Sequence, residues 1–267
     1  LAVSAAYVGT RVQNATAVVS TGGFNDPNVR NRLTTITNIG NSDYNSLQLK
    51  GTLRTYKGLN FLASYTYGRA NNNTPGPFPG PAGAFRTQAS DPNNLALDKA
   101  PADFDVRNRF TFAANYEVQF FKNTTGLTKL LFDGFQMNTI ITLQDGTPFS
   151  VFGGFGRAAL IADPEGDESV GRYFNTAAFR PSTSAADQSP RNLLRGPGLK
   201  TVDFSVFRKF TLTERYNLEF RAQAFNLFNT PQFNIPGIFL GSNDFGQITG
   251  TRGNSARQLE FGLKVNF

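Results

Sequence analysis

Alternation along extended segments would gather Arg54, Arg107, Arg109, Glu117, Glu219, Arg221, Glu260 and Lys264 on one side of the chain. Guanidinium, ammonium and carboxylate groups in such an array can pair with one another, hold a polar or anionic solute, or stay solvated. Covalent catalysis is a poorer fit. The 267 residues include no His and no Cys, which excludes a Ser-His-Asp triad, a thiolate nucleophile and an ordinary zinc site, because each needs an imidazole or a thiolate. Asp163-Pro164-Glu165-Gly166-Asp167-Glu168 offers hard carboxylate oxygens of the kind Ca²⁺ takes, yet without EF-hand spacing, so an acidic exposed loop is expected. Gly153-Gly154-Phe155-Gly156 has no Lys-Ser/Thr after it and is not a phosphate-binding loop. Composition leaves carboxylate pairs for glycosidase chemistry, but nothing in the sequence positions them. The expectation is no enzyme and no cofactor. The net charge of +7 comes without a nucleic-acid recognition motif and points to anionic lipid headgroups or anionic solutes instead.

The elements that must position these groups read at period two. Leu259, Phe261, Leu263, Val265 and Phe267 alternate with Gln258, Glu260, Gly262, Lys264 and Asn266. Leu218, Phe220, Ala222 and Ala224 alternate with Glu219, Arg221 and Gln223 in the same way. Phe110, Phe112, Ala114 and Tyr116 oppose Arg109, Thr111, Asn115 and Glu117; Met137, Thr139, Ile141 and Leu143 face away from Gln136, Asn138, Thr142 and Gln144. Leu47, Leu49 and Leu53 oppose Gln48, Lys50, Thr52 and Arg54, and Phe61, Ala63, Tyr65 and Tyr67 resume the pattern after Lys57-Gly58. Such ribbons average to an unremarkable mean hydropathy of −0.30, because each has one wet and one apolar face.

Any antiparallel sheet with one solvated face alternates, so length and spacing must discriminate. The clean runs are 10 to 12 residues, enough for the ~9–11 that cross a bilayer, against a usual ~5–6 in soluble sheets. Connections also alternate: 230–253, 144–200 and 68–104 are long, 211–214 and 57–58 short, and 122–133 intermediate. Short periplasmic turns and long outer loops are the habit of outer-membrane barrels. Tyr56, Phe61, Phe120, Phe121, Phe210, Tyr216 and Phe267 fall near the short-turn ends, as an interfacial girdle would, while Asn108, Asn226 and Arg257 are polar exceptions near the long-loop rim. Arg208 shares parity with Val202, Phe204 and Val206, which predicts a bulge or an interfacial position near the turn.

The expected fold is therefore all-β, an antiparallel transmembrane β-barrel segment of about eight strands with long extracellular loops and short periplasmic turns. The strands are expected near 3–12, 43–56, 59–70, 105–120, 134–145, 200–210, 214–228 and 256–267. Residues 30–39 either extend the strand at 43–56 or precede a turn at Gly40-Asn41. Val29-Arg30-Asn31-Arg32-Leu33-Thr34 echoes Val106-Arg107-Asn108-Arg109-Phe110-Thr111, one match and no proof of a repeat. The chain opens Leu1-Ala2-Val3-Ser4, without an initiator Met or an apolar leader, and is expected to be a mature chain or a fragment.

Five stretches carry a resemblance: YNSLQLKGTLRTYKGLNFLASYTYGRA at 44–70, DVRNRFTFAANYEVQF at 105–120, GFQMNTIITLQDGTPFSV at 134–151, RNLLRGPGLKTVDFSVFRKFTLTERYNLEFRAQAFNLFNTPQF at 191–233 and RQLEFGLKVNF at 257–267. They resemble the TonB-dependent outer-membrane receptors, in particular the Oar-like members with a carboxypeptidase-regulatory-like extension. The resemblance implies the C-terminal part of a plugged barrel of about 22 strands, whose strands alone need about 220 residues, more than this chain supplies with its loops. Residues 1–267 would then be a fragment in the bacterial outer membrane, and the plug would couple it to the TonB system for uptake of a scarce solute. Phe261, Leu263, Val265 and Phe267 resemble the C-terminal signal read by the barrel-assembly machinery, through strand addition to an exposed edge. Arg54, Arg107, Arg109, Glu117, Glu219 and Arg221 would line the lumen. The expected partners are outer-membrane lipid, the assembly machinery, TonB and a small solute, with no nucleic acid. The alternatives are a self-contained small barrel with a structural or adhesion role and a soluble β-sandwich.

Overall fold

The computed structural model describes residues 1–20, 34–74, 91, 93–121, 123, 125–211 and 215–266. Eight long strands follow one another in a single antiparallel sheet: β1 Ala2–Ser20, β2 Thr34–Tyr56, β3 Leu59–Asn72, β4 Asn108–Glu117, β5 Phe135–Gln144, β6 Leu199–Thr211, β7 Asn217–Phe225 and β8 Gln258–Asn266. Each pairs with its sequence neighbours, and a two-residue strand at Ala100–Pro101 adds to the end of β3. Among the described residues β1 and β8 share no ladder, so the sheet is a curved wall with two free edges.

Register converts alternation into two faces, because directly opposed residues lie on the same side. Leu49 pairs with Tyr65, Tyr65 with Phe110, and Phe110 with Leu143. Val206 pairs with Ala222, and Ala222 with Phe261. The apolar side is thus continuous across all eight strands. On β5 it runs from Phe135 to Leu143, about 27 Å along the strand and, at a tilt of about 40°, about 21 Å along the normal, close to the ~25 Å band of such barrels. The other side carries Thr66, Arg109 and Gln144 in one row and Asn60, Asn115, Asn138, Ser205, Gln223 and Glu260 in another.

The turn joining β2 and β3 is Lys57-Gly58, with φ of 48° and 83°. Two consecutive left-handed residues form the tight turn whose twist matches the strands. A side chain at Gly58 would strike the Glu117 carbonyl at 2.3 Å, so only glycine fits beneath the adjacent strand. On the same rim, helix α1 (Gly126–Phe132) fills the intermediate connection and brings Phe132 within 5.4 Å of Phe121. Tyr56 and Phe120 stand exposed there, as the girdle expectation has it. Phe267 lies outside the described residues, as do Val29 to Leu33 of the sequence echo.

Two open alternatives are decided and two strand bounds need correction. Gly40-Asn41 makes no turn: residues 34–39 belong to β2, and Gly40 pairs with Ala15 beside a bulge in which Asn14 takes φ 56°. β1 and β2 therefore run on together beyond the apolar band as a ribbon. The strand expected at 105–120 begins only at Asn108, because Asp105 turns aside into ion pairing. The strand expected at 214–228 stops at Phe225, because Asn226 adopts φ 49°. Arg208 causes no bulge; the register runs unbroken past it. It lies near the turn, buried, with its guanidinium 4.8 Å from the Phe135 ring and 4.2 Å from the Phe210 ring, a stacking that tolerates a cation among apolar side chains.

Candidate functional site

Two regions place polar chemistry where a solute would meet it: the wet face of the sheet and the long connections above it. The face is built by strand register. Of the expected lumen residues, Arg109, Glu117, Glu219 and Arg221 lie within strands on this face. Arg54 sits at the bulge preceding the β2–β3 turn, and Arg107 just before β4, half-buried with its backbone oxygen accepting from Gly68 N at 2.8 Å. Arg221 donates to Glu219 at 3.2 Å and stacks over Phe207 at 4.7 Å. Glu219 lies between Lys209 and Lys264 across its two ladders. Beside them Asn115 donates to Asn138, Gln136 to Asn115 at 3.4 Å, and Asn138 to Ser205 at 3.4 Å. These groups border a concavity of about 410 Å³ lined by Asn115, Gly134, Gln136, Asn138, Phe207, Arg208, Lys209, Glu219 and Arg221. Amides, one aromatic face and three cations beside a single carboxylate suit polar solutes that carry negative charge, which need donors and a counter-charge in place of water. Leu62, Ala113 and Ile140 form an apolar row on the same face. Period two conceals Ile140 because it adjoins Ile141, which faces the other way.

The connections are not open coil. Residues 145–198 and 226–257 fold together into a cap over the loop-side rim, held by short ladders at 148–149 with 194–195, 152–153 with 156–157, and 159–160 with 179–180. Its interior is the hydrophobic core of the described chain: Phe149, Val151, Phe152, Tyr173, Phe174, Phe179, Ile238 and Ile248. Phe174 meets Phe149 at 5.9 Å, Phe179 edge-on at 5.7 Å and Phe245 edge-on at 5.3 Å, geometries that add to area burial. Burial pushes the Tyr173 hydroxyl up to about 12, and the nearby Glu168 charge adds to the shift. Asp163 is engaged locally, accepting from Glu165 N at 3.0 Å. Among the described residues no three His, Cys, Asp or Glu side chains are placed to hold a metal ion.

A buried ionic seam ties the cap to the β3–β4 connection and, through Asn72, to the end of β3, and sequence reasoning missed it. Arg157 Nη1 donates to Asp98 Oδ1 at 2.5 Å, with side-chain exposures of 6% and 0%. Its Nε and Nη2 donate to the Ser189 and Leu97 carbonyls at 2.8 and 3.2 Å. Arg191 reaches Asp103 at 3.1 Å and the backbone oxygens of Asp98 and Asn72 at 3.0 and 3.1 Å. Burial pulls its guanidinium down from the ordinary arginine value, against the opposing pull of Asp103 and Asp98. Arg195 pairs with Asp105, whose other oxygen accepts from Ala70 N at 2.7 Å. Only the repeated Asp spacing in Asp103-Phe104-Asp105 and the Arg spacing in Arg191 to Arg195 hint at it. A second tie lies at the β7 exit, where Gln232 brackets Lys200 through both backbone groups at 2.7 and 3.0 Å.

A sheet apolar on one side and polar on the other, with exposed aromatics toward both of its ends and folded loops capping one of them, defines the wall of a membrane β-barrel. The model of the outer membrane beta barrel domain family matches residues 2–260, and the chain belongs to that family. It is accordingly an outer-membrane protein, and this overturns the soluble-sandwich alternative. Among solved structures it is similar to the outer membrane transporter YddB from Escherichia coli, with a TM-score of 0.51 and 13% identity over 98% of this chain. The chain spans 30% of the length of that structure. No curated protein matches it.

Proposed function

We propose that this chain is the C-terminal part of a TonB-dependent, Oar-like receptor barrel that takes up a scarce solute without covalent chemistry. The observation that carries the reading is the open wall: eight strands in chain order end in two edges, β1 and β8, which share no ladder among the described residues. Similarity to less than a third of a transporter supports the same view. The cap would receive solute, the wet face would form part of the lumen wall, and a plug elsewhere in the protein would couple to TonB. Phe261, Leu263 and Val265 stand exposed on β8 beside its free edge, which suits recognition by the barrel-assembly machinery through strand addition. An antiserum raised against residues 163–171, applied to outer membranes of the source cells, tests the reading. A band about three times the length of this chain, the inverse of the 30% coverage, with uptake abolished by dissipating the proton gradient, is expected. A band no longer than this chain would instead establish a self-contained small barrel with a structural role.

A further inference from the structure

The turn-side end of the wet face gathers cations, and register sets them in two rungs. In the first, Lys209 of β6 lies opposite Glu219 of β7, which lies opposite Lys264 of β8. In the second, Phe207, Arg221 and Gly262 stand side by side on the same three strands. On these strands the two rungs hold three cations and one carboxylate. Glu260 stands one rung further from the turn, opposite Gln223, and does not line the concavity. Lys209 and Lys264 are exposed and make no ion pair among the described residues. Arg221 commits one nitrogen to Glu219 at 3.2 Å and lies over Phe207, which leaves most of its five N–H groups for a ligand. Gly262 keeps it approachable. A glycine in mid-strand weakens a sheet and often marks close approach by another group. Here the backbone does not demand it: φ is not left-handed, and a Cβ would meet only Arg221 Cβ at an ordinary 3.7 Å. The next rung inward is uncharged on β4 to β6. Asn115 donates to Asn138 and Asn138 to Ser205, and each amide has a second N–H besides the one it gives to this row.

We infer that this end of the wet face is an oxyanion site, which takes the carboxylate or phosphate of a small hydroxyl-bearing solute. The inference rests on the receptor reading, in which this face is lumen wall; it adds the chemical class of the solute and places its last hold on the periplasmic side. Lys209 and Arg221 bind the anion through charge-assisted hydrogen bonds, roughly twice as strong as neutral ones. The Asn115–Asn138 row exchanges hydrogen bonds with the hydroxyls. A volume of about 410 Å³ falls within the ~300–1,000 Å³ of small-molecule sites. Glu219 offsets part of the positive charge, so the anion is held weakly enough to leave.

Three six-carbon probes test this on the full-length protein in mild detergent, by ligand-observed NMR titration: gluconate, glucose 6-phosphate and neutral sorbitol. At least one of the two anions should bind about tenfold tighter than sorbitol, and the tighter of them tells carboxylate from phosphate. Lys209→Gln and Arg221→Gln should each weaken anion binding about tenfold, the worth of one hydrogen bond to a charged group, with sorbitol unchanged. Lys209→Arg should retain it. Gly262→Leu should weaken it as much by covering Arg221. Migration in unheated gels checks that each variant barrel is folded. Binding of no probe by the native protein, equal binding of all three, or undiminished anion binding in both Gln variants or in folded Gly262→Leu overturns the inference. Uptake does not enter these titrations, so such a result leaves the receptor reading standing, whereas failure of that reading shows as the short band in the antiserum experiment.

Discussion

Removing the carboxylate of Asp98 should unlatch the cap without unfolding the wall. Asp98 is fully buried against Arg157, so Asp98→Ala leaves a guanidinium in a desolvated seam without its carboxylate partner. Breaking a buried pair from one side costs about 3–5 kcal/mol; the Ser189 and Leu97 carbonyls that also hold Arg157 favour the lower end. At 3 kcal/mol the equilibrium constant for local opening rises about 150-fold. Hydrogen exchange reads this directly. The Ala102 amide, bonded to Ala70 O at 2.8 Å, and the Asn192 amide, bonded to Ser150 Oγ at 2.8 Å, should lose protection by about that factor. Amides in the β4–β5 ladder should not change. The double variant Asp98→Leu with Arg157→Met should recover most of the protection, since an apolar pair of similar volume avoids the desolvation cost. If the Ala102 and Asn192 amides exchange as slowly in Asp98→Ala as in the native protein, or if the double variant is worse than the single one, the seam is not what holds the cap.

Phe174→Ala, at the centre of the cap's aromatic cluster, should cost about 3–5 kcal/mol, seen as lost exchange protection through residues 149–179 while β4 to β7 keep theirs. Phe112→Arg should cost about 2–4 kcal/mol on the lipid side and Thr111→Arg, on the wet side, close to nothing, measured as shifts in the urea midpoint of the detergent-folded barrel; equal shifts would contradict the assigned faces. The Tyr173 pKa lies above its unfolded value, so its contribution to cap stability is fully present below pH ~10 and fades as pH rises through about 12. The phenolate absorbance difference between native protein and Tyr173→Phe should develop in that interval, and development near pH 10 would refute its burial. Asp187 is held down to about 2, chiefly by the Arg180 hydrogen bond, so that tie is complete above pH ~4 and lost as pH falls through about 2, which carboxyl NMR titration of Asp187 checks.

Period two is a property of consecutive residues, and for that reason the sequence alone determined the strands and their two faces. Arg109, Glu117, Glu219 and Arg221 share one side of the sheet, because parity along a strand admits only two answers. Strand ends were less legible. Asp105 leaves its ladder to pair with Arg195 of another connection, and Asn226 leaves its own to donate to Asp203 of β6 and to Ser255 further along the same connection. Only the tertiary structure decided the cap and its seam. Arg157 finds Asp98 across 59 residues, Arg195 finds Asp105 across 90 and Arg191 finds Asp98 across 93. Composition marked those segments as loops because Gly, Pro and Asn break periodicity, yet their phenylalanines bury one another once the meander sets the connections side by side. A local pattern fixes which way a side chain faces; which distant side chain it meets depends on strand order and register, and these come into being only when the wall assembles.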